Sequence, residues 1–154
     1  MAGKIAQRLT ELGITLPEAA SAMANYVPYV VSGRVIHIAG QVPRLNGTVA
    51  HIGCLGRDIS VEEGYQAASN CGLSILAQTL AATGDLDLVT RIIKLNVFVR
   101  SDFAFTDQPK VANGASDLMV EVFGSIGRHA RSAVGVVQLP FGVCVEIDAV
   151  VEFS

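Results

Sequence analysis

The sequence predicts an α+β fold in which one mixed β-sheet carries two long helices on a single face. Three stretches carry that prediction. Val143, Val145, Ile147, Ala149 and Val151 alternate with Cys144, Glu146, Asp148 and Glu152, the period of a half-buried strand. Leu88 to Arg100 is rich in β-branched residues and reads as a central strand, with Ile93, Leu95, Val97 and Val99 on one face. Between them in kind, Ser60-Val61-Glu62-Glu63 is a capping box that opens a helix running to about Ala82, with Gly84 as its stop.

The remaining elements follow in chain order. Lys4 to Leu12 places Ile5, Leu9 and Leu12 on one helical stripe, and Gly13 ends it. Pro17 then precedes an Ala-rich segment, Glu18 to Ala24, expected to form one or two helical turns. Two strands between Tyr29 and Ile38 meet at Ser32-Gly33, and Pro43 to Arg57 is expected to be a loop with solvated Arg44 and Arg57. The Ala, Gly and Ser residues of the Ser60 helix suit close packing on a sheet, and Cys71 there reads as core. Ser101 to Gln108 reads as a turn. A second long helix starts near Pro109 and reaches about Phe123, burying Leu118, Met119 and Val122. The coarse order is helix, β, β, α, β, α, β, β.

Ala130 to Leu139 and Val143 to Phe153 are two β-rich runs joined by a link containing Pro140 and Gly142, which predicts an antiparallel hairpin. With Gln138 opposite Val143, Arg131, Ala133 and Gly135 share a face with Glu146 and Asp148. Gly inside a strand marks close approach of a ligand or backbone, so this face is a candidate site. Antiparallel sheets also keep one side wet with ordinary charges, and the pattern alone leaves both readings open.

The chain has 154 residues, which predicts one domain, 1–154, with residues 1–25 as an N-terminal helical extension. A net charge of -3 leaves no basic stripe for a phosphate backbone, so nucleic acid is not an expected partner. Residues are 51% hydrophobic and 16% charged, apolar enough to predict a surface buried between subunits. No run approaches the ~20 apolar residues of a membrane span, and no secretory segment opens the chain, so the expected home is the cytoplasm. Cys54, Cys71 and Cys144 with His37, His51 and His129 form no ligand cluster in sequence, and no metal is expected.

Ala130-Arg131-Ser132-x-Val134-x-Val136-x-x-Leu139-Pro140 followed by Val145-Glu146-Ile147-x-Ala149 resembles the C-terminal motif of the Rid (reactive intermediate deaminase, YjgF-like) family, also called L-PSP endoribonuclease-like. Ser32 to Pro43 resembles its early hairpin, ending in Ala39-Gly40-Gln41-Val42-Pro43. Gln66-Ala67-Ala68, Leu80 to Leu86, Lys94 to Val99 and Asp102-Phe103-Ala104 resemble further family segments in order. The likeness runs from about Tyr26 to Phe153, and the Arg131 block is its most specific part.

The resemblance implies a chorismate-mutase-like subunit and a homotrimeric barrel with sites in clefts between subunits. It implies cofactor-free hydrolysis of enamine and imine acids of the 2-aminoacrylate type to 2-oxo acids and ammonia. In that chemistry Arg131 holds the substrate carboxylate and Glu146 orients water, because guanidinium presents a planar fork and a carboxylate can take a proton from water. Tyr26, Asn113 and Ala133 match pocket positions. Tyr26 could equally anchor the N-terminal segment, and Asn113-Gly114 could be an ordinary turn or cap pair. His129 could line the cleft mouth, while Asp148 reads as a solvated or ion-paired neighbour. The sequence departs from many active relatives, which carry cysteine where Ala133 stands, and residues are inserted before Asn113. Two alternatives therefore stand beside the deaminase: a trimeric module that binds small carboxylates without turnover, and an endoribonuclease, against which acidic charge and 6% aromatics weigh.

Overall fold

The computed structural model describes residues 2–154. In chain order the elements are α1 (Lys4–Glu11), β1 (Tyr29–Ser32), β2 (Val35–Gln41), β3 (Arg44–Leu45), β4 (Thr48–Val49), α2 (Val61–Thr83), β5 (Val89–Arg100), α3 (Gln108–Phe123), β6 (Ala130–Val136) and β7 (Val145–Phe153). The main sheet has the order β1-β2-β7-β5-β6, so β7 is central, and β3 and β4 form a separate small ribbon. Both long helices lie on one face of the main sheet, as the sequence predicts.

That face is apolar by strand periodicity. Val145, Ile147, Ala149 and Val151 of β7 are buried, as are Leu95, Val97 and Val99 of β5 and Ile36 and Ile38 of β2. They pack against Ala67, Ala68, Cys71 and Ile75 of α2 and Val111, Ala115 and Met119 of α3 in one core. Each fully buried Val, Leu or Ile contributes about 1.5–3 kcal/mol, so this layer holds the helices on the sheet. α2 begins at the expected capping box: Glu63 N–H donates to Ser60 Oγ at 3.1 Å, and Ser60 N–H donates to Glu63 Oε2 at 2.9 Å. It ends at Gly84, whose φ of 75° is the left-handed conformation of a helix stop. Gly114 brings α3 against α2, because a Cβ there would overlap the Tyr65 carbonyl.

The expected β6–β7 hairpin does not form. β6 pairs in parallel with β5, β7 pairs antiparallel with the other edge of β5, and so β5 lies between them. The connection from β5 to β6 is a βαβ crossover through α3, which brings two strands side by side in the same direction. The link after β6 passes over the end of β5, where Ser101 N–H donates to Val136 O at 3.3 Å and Arg100 N–H donates to Cys144 O at 2.9 Å.

Smaller corrections have local causes. Glu18–Ala24 is not helical: short Ala-rich segments are marginal helices, and the Gln78 side-chain amide takes the Ala20 carbonyl at 2.7 Å. In β5 a bulge between Ile92 and Lys94 shifts the alternation, so Ile92 is buried and Ile93 is 36% exposed. Asn46 and Gly47, both at positive φ, turn β3 into β4 within the segment read as a loop. The β1–β2 turn is centred on Gly33-Arg34, since Ser32 pairs with Val35.

Candidate functional site

Arg131 stands on the edge strand β6, and its row in the sheet is Arg131–Leu95–Ala149. Cross-strand partners point the same way, so Arg131 faces the helix layer. There its Nη1 donates to Asn113 Oδ1 at 2.8 Å and Ser116 Oγ at 3.1 Å, and its Nη2 reaches the Pro109 carbonyl at 3.4 Å. Pro109, Asn113 and Ser116 lie at i, i+4 and i+7 on one face of α3, which is why one helix supplies all three acceptors. Guanidinium has five N–H donors. Among the described residues, Nε–H and the second Nη2–H have no acceptor, and these two form one edge of the fork. The side chain is half-buried and lines a shallow opening beside α3.

Ala133 follows on the same side, half-buried against the core. Beyond it, a Cβ at Gly135 would lie 2.7 Å from Ser101 Oγ and 2.9 Å from Gln108 Nε2, the ends of two flexible side chains. Gly135 lines an opening with Ser101, Gln108, Arg100 and Phe103, and Glu146 is not part of that lining. His129, two residues before Arg131, contacts Ser116 through Nε2 at 2.8 Å and the Gly127 carbonyl through Nδ1 at 2.7 Å. Burial holds its imidazole below the ordinary value, and the Arg131 charge adds to the effect against the opposing pull of the Gly127 carbonyl. It lines a shallow opening with Arg131, Ser116 and Asp117.

Glu146 belongs to a different row, Glu146–Phe98–Val134, and projects from the open face of the sheet. The expectation that it shares a face with Arg131, Ala133 and Gly135 fails, because inserting β5 between the strands reverses their relative parity. Its glycine neighbour is instead Gly40, at the bulge between Ile38 and Gln41 in β2. A Cβ at Gly40 would lie 2.6 Å from Glu146 Oε1, so only glycine lets the carboxylate rest against this backbone. Burial raises the Glu146 pKa above its ordinary value, and the Asp148 carboxylate on the same face raises it further. Asp148 itself accepts from Asn96 Nδ2 at 2.7 Å, so its partner is an amide.

Glu146 lines a small cleft with Tyr26, Met23, Gln41, Arg44 and Phe141. Tyr26 is 56% exposed, its ring forming part of the cleft wall. Arg44, expected to be solvated, is half-buried there and donates to the Gly47 carbonyl at 3.2 Å. Phe141 reaches the cleft from the turn Pro140–Gly142 with φ of 60°, a conformation costing ~1–3 kcal/mol for a residue with a side chain.

The structure thus brings Arg131 together with Asn113, with Ala133 along the same face, and brings Glu146 together with Tyr26. It puts the two groups on opposite faces of one chain's sheet. Ser116 was missed by sequence reading, although its position three residues after Asn113 places it on the same helix face. Gly40, Arg44 and Phe141 were missed because only tertiary packing brings them to Glu146. The cysteines are buried and free, and burial pushes the Cys144 thiol up to about 12 and raises that of Cys71, so neither of these two is an activated nucleophile. Among the described residues, no three His, Cys, Asp or Glu side chains gather as metal ligands, and no helix is long and apolar enough to cross a membrane.

Residues 6–148 match the family model described as "YjgF/chorismate mutase-like, putative endoribonuclease". Protein TCP17 of Trypanosoma cruzi is 53% identical over 153 residues, covering 99% of this chain and 96% of that protein. The solved structure of Atu1372 from Agrobacterium tumefaciens, a protein of unknown function, is 49% identical with a TM-score of 0.90, covering 97% of this chain and 93% of that one. RidA from the Antarctic bacterium Psychrobacter sp. PAMC 21119 is 26% identical with a TM-score of 0.61, covering 88% and 94%. The family match begins at residue 6 and so takes in most of α1, which precedes the motifs that start near Tyr26.

Proposed function

Because the chain belongs to the YjgF/chorismate mutase-like family, we propose that it is a cofactor-free deaminase of enamine and imine acids, working at a site shared between subunits. The observation that carries this reading is the Arg131 guanidinium: anchored on one side by α3, it presents Nε–H and one Nη2–H as a vacant edge suited to a carboxylate. Glu146 supports the second role, since a carboxylate with a raised pKa is a better base for water than an ordinary one.

The chemistry balances with these groups alone. The imine carbon of R–C(=NH)–COO⁻ is attacked by water while Glu146 takes the water proton. That proton passes to the imine nitrogen to give the carbinolamine R–C(OH)(NH2)–COO⁻, whose hydroxyl proton then moves to nitrogen as the C–N bond breaks and the C=O bond forms, releasing ammonia and the 2-oxo acid. An enamine enters the same route after tautomerising to the imine. Arg131 holds the carboxylate throughout, with Asn113 positioning the guanidinium and Tyr26 and the Ala133 backbone lining the pocket.

One chain cannot place Arg131 and Glu146 around one substrate, because they project from opposite sheet faces. A neighbouring copy can. The open face exposes Val30 (53%) and Val134 (46%) beside Phe98, Glu146 and Asp148, with no helix over it. We assign this face to a homotrimeric barrel in which Arg131 approaches Glu146 of the partner subunit. The buried thiols fit a reducing, cytoplasmic setting.

A second reading, carboxylate binding without turnover, is favoured by one observation: the Arg131 anchor is complete within a single chain. RNA cleavage fits less well with a net charge of -3 and 6% aromatics. The deciding experiment measures ammonia release from imines generated in situ by an amino-acid oxidase, over a panel of side chains. Acceleration that vanishes in Arg131→Ala supports the deaminase. No acceleration across the panel, with 2-oxo acids still bound through Arg131, replaces it with the binding module.

A further inference from the structure

Arg131 begins a chain of three hydrogen bonds that runs back through α3. Arg131 Nη1 lies 3.1 Å from Ser116 Oγ, Ser116 Oγ lies 2.8 Å from His129 Nε2, and His129 Nδ1 lies 2.7 Å from the Gly127 carbonyl. The direction of each bond follows from its partners. A carbonyl only accepts, so Nδ1 carries a hydrogen; in the neutral ring Nε2 is then the acceptor. Ser116 must therefore donate its proton to His129, which turns a lone pair toward Arg131. Guanidinium only donates, so this hydroxyl orientation serves it.

We propose that His129 is a positioning residue for Arg131, acting through Ser116: as the Nδ1–H tautomer it orients the Ser116 hydroxyl that holds the guanidinium for its carboxylate ligand. The far end of the chain is held firmly. Gly127 is buried where a Cβ would overlap the Met119 carbonyl, so its turn is pressed against α3 and its own carbonyl is held in place. The proposal rests on the reading of Arg131 as a carboxylate holder and adds the device that sets its orientation.

Protonation would reverse the chain. An imidazolium donates from Nε2 as well, competing with Arg131 for the Ser116 oxygen and placing a second cation beside the guanidinium. The charged groups around the ring are Arg131 on β6, Arg128 next to it in sequence, and Asp117 on α3. Burial first, with the Arg131 charge, holds the imidazole below 6.5, so the neutral form persists through neutral pH and is lost only in acid.

Two measurements test this. Nitrogen-15 spectra of histidine-labelled protein should show one ring, assigned by its absence in His129→Gln, as the Nδ1–H tautomer at neutral pH, and Ser116→Ala should disturb it. Calorimetric titration with 2-oxobutanoate should show wild-type affinity falling in acid. His129→Leu should weaken binding about tenfold and remove the acid step, whereas His129→Gln, which keeps an acceptor for Ser116, should stay within about threefold. Ser116→Ala should match His129→Leu, and the double variant should lose no more than either single one. Protonation of Glu146 removes a negative charge and would strengthen carboxylate binding in acid, so the sign separates the two groups. An Nε2–H tautomer, wild-type affinity in His129→Leu, or additive losses in the double variant would overturn the proposal. Affinity indifferent to Arg131→Ala would instead remove the carboxylate-holder reading, and this proposal with it.

Discussion

The Arg131 anchor and the Glu146 cleft are built by different means. Arg131 is held by hydrogen bonds from successive turns of a single helix, so its geometry comes from regular structure. Glu146 is held by a bulge at Gly40, a left-handed Phe141 and an irregular N-terminal segment, and its carboxylate is partly dehydrated. On the proposed function, the contrast is a division of labour. A binding group benefits from many fixed partners, whereas a base benefits from few, because each hydrogen bond to its charged form would lower its pKa.

The two regions should therefore fail differently. Arg131→Ala is expected to raise KM about 100-fold or more, since it removes two charge-assisted bonds to the carboxylate. Glu146→Gln is expected to lower kcat about 100-fold while ligand affinity is kept or rises, since a negative charge leaves the site. Steady-state kinetics beside calorimetry separate the two, and equal effects on both quantities from either variant would erase the distinction. Gly40→Ala should lower kcat about tenfold or more with affinity retained, because its Cβ displaces the carboxylate.

Smaller effects should appear in pH dependence. Since the Glu146 pKa is raised, the ionised base forms only above the ordinary value of 4.5, and the acid limb of kcat should lie above that value. Stability carries the matching sign. The folded state binds the Glu146 proton more tightly than the unfolded state, so stability falls as pH rises from 4.5 through the folded pKa. Glu146→Gln should then melt slightly higher than wild type at neutral pH, with the gain gone in acid. Melting curves at the two pH values test this, and an equal gain at both would mean that ionisation is not its cause.

Much of the fold was legible because it depends on local chemistry. The Ser60 capping box, the Gly84 stop and the alternation from Val145 to Val151 each state their structure within a few residues. The Arg131 block was legible as a motif. What sequence could not state was relative parity: period-two alternation assigns faces within a strand, but the pairing order decides how two strands' faces correspond. Placing β5 between β6 and β7 moved Glu146 to the face opposite Arg131. The same limit hid Gly40, whose meaning comes from a carboxylate distant in sequence. Asn46-Gly47 was a readable hairpin signal within a segment taken as loop.

The central claim is that Arg131 of one subunit works with Glu146 of the partner subunit. Co-expressing Arg131→Ala and Glu146→Gln chains in equal amounts tests it directly. Each variant alone should be nearly inactive. If every site takes its arginine and its glutamate from different chains, random assembly leaves about a quarter of the sites intact, and the mixture should recover about a quarter of wild-type activity. Mixed oligomers, verified by distinct tags, that remain as inactive as the separate variants would contradict the account.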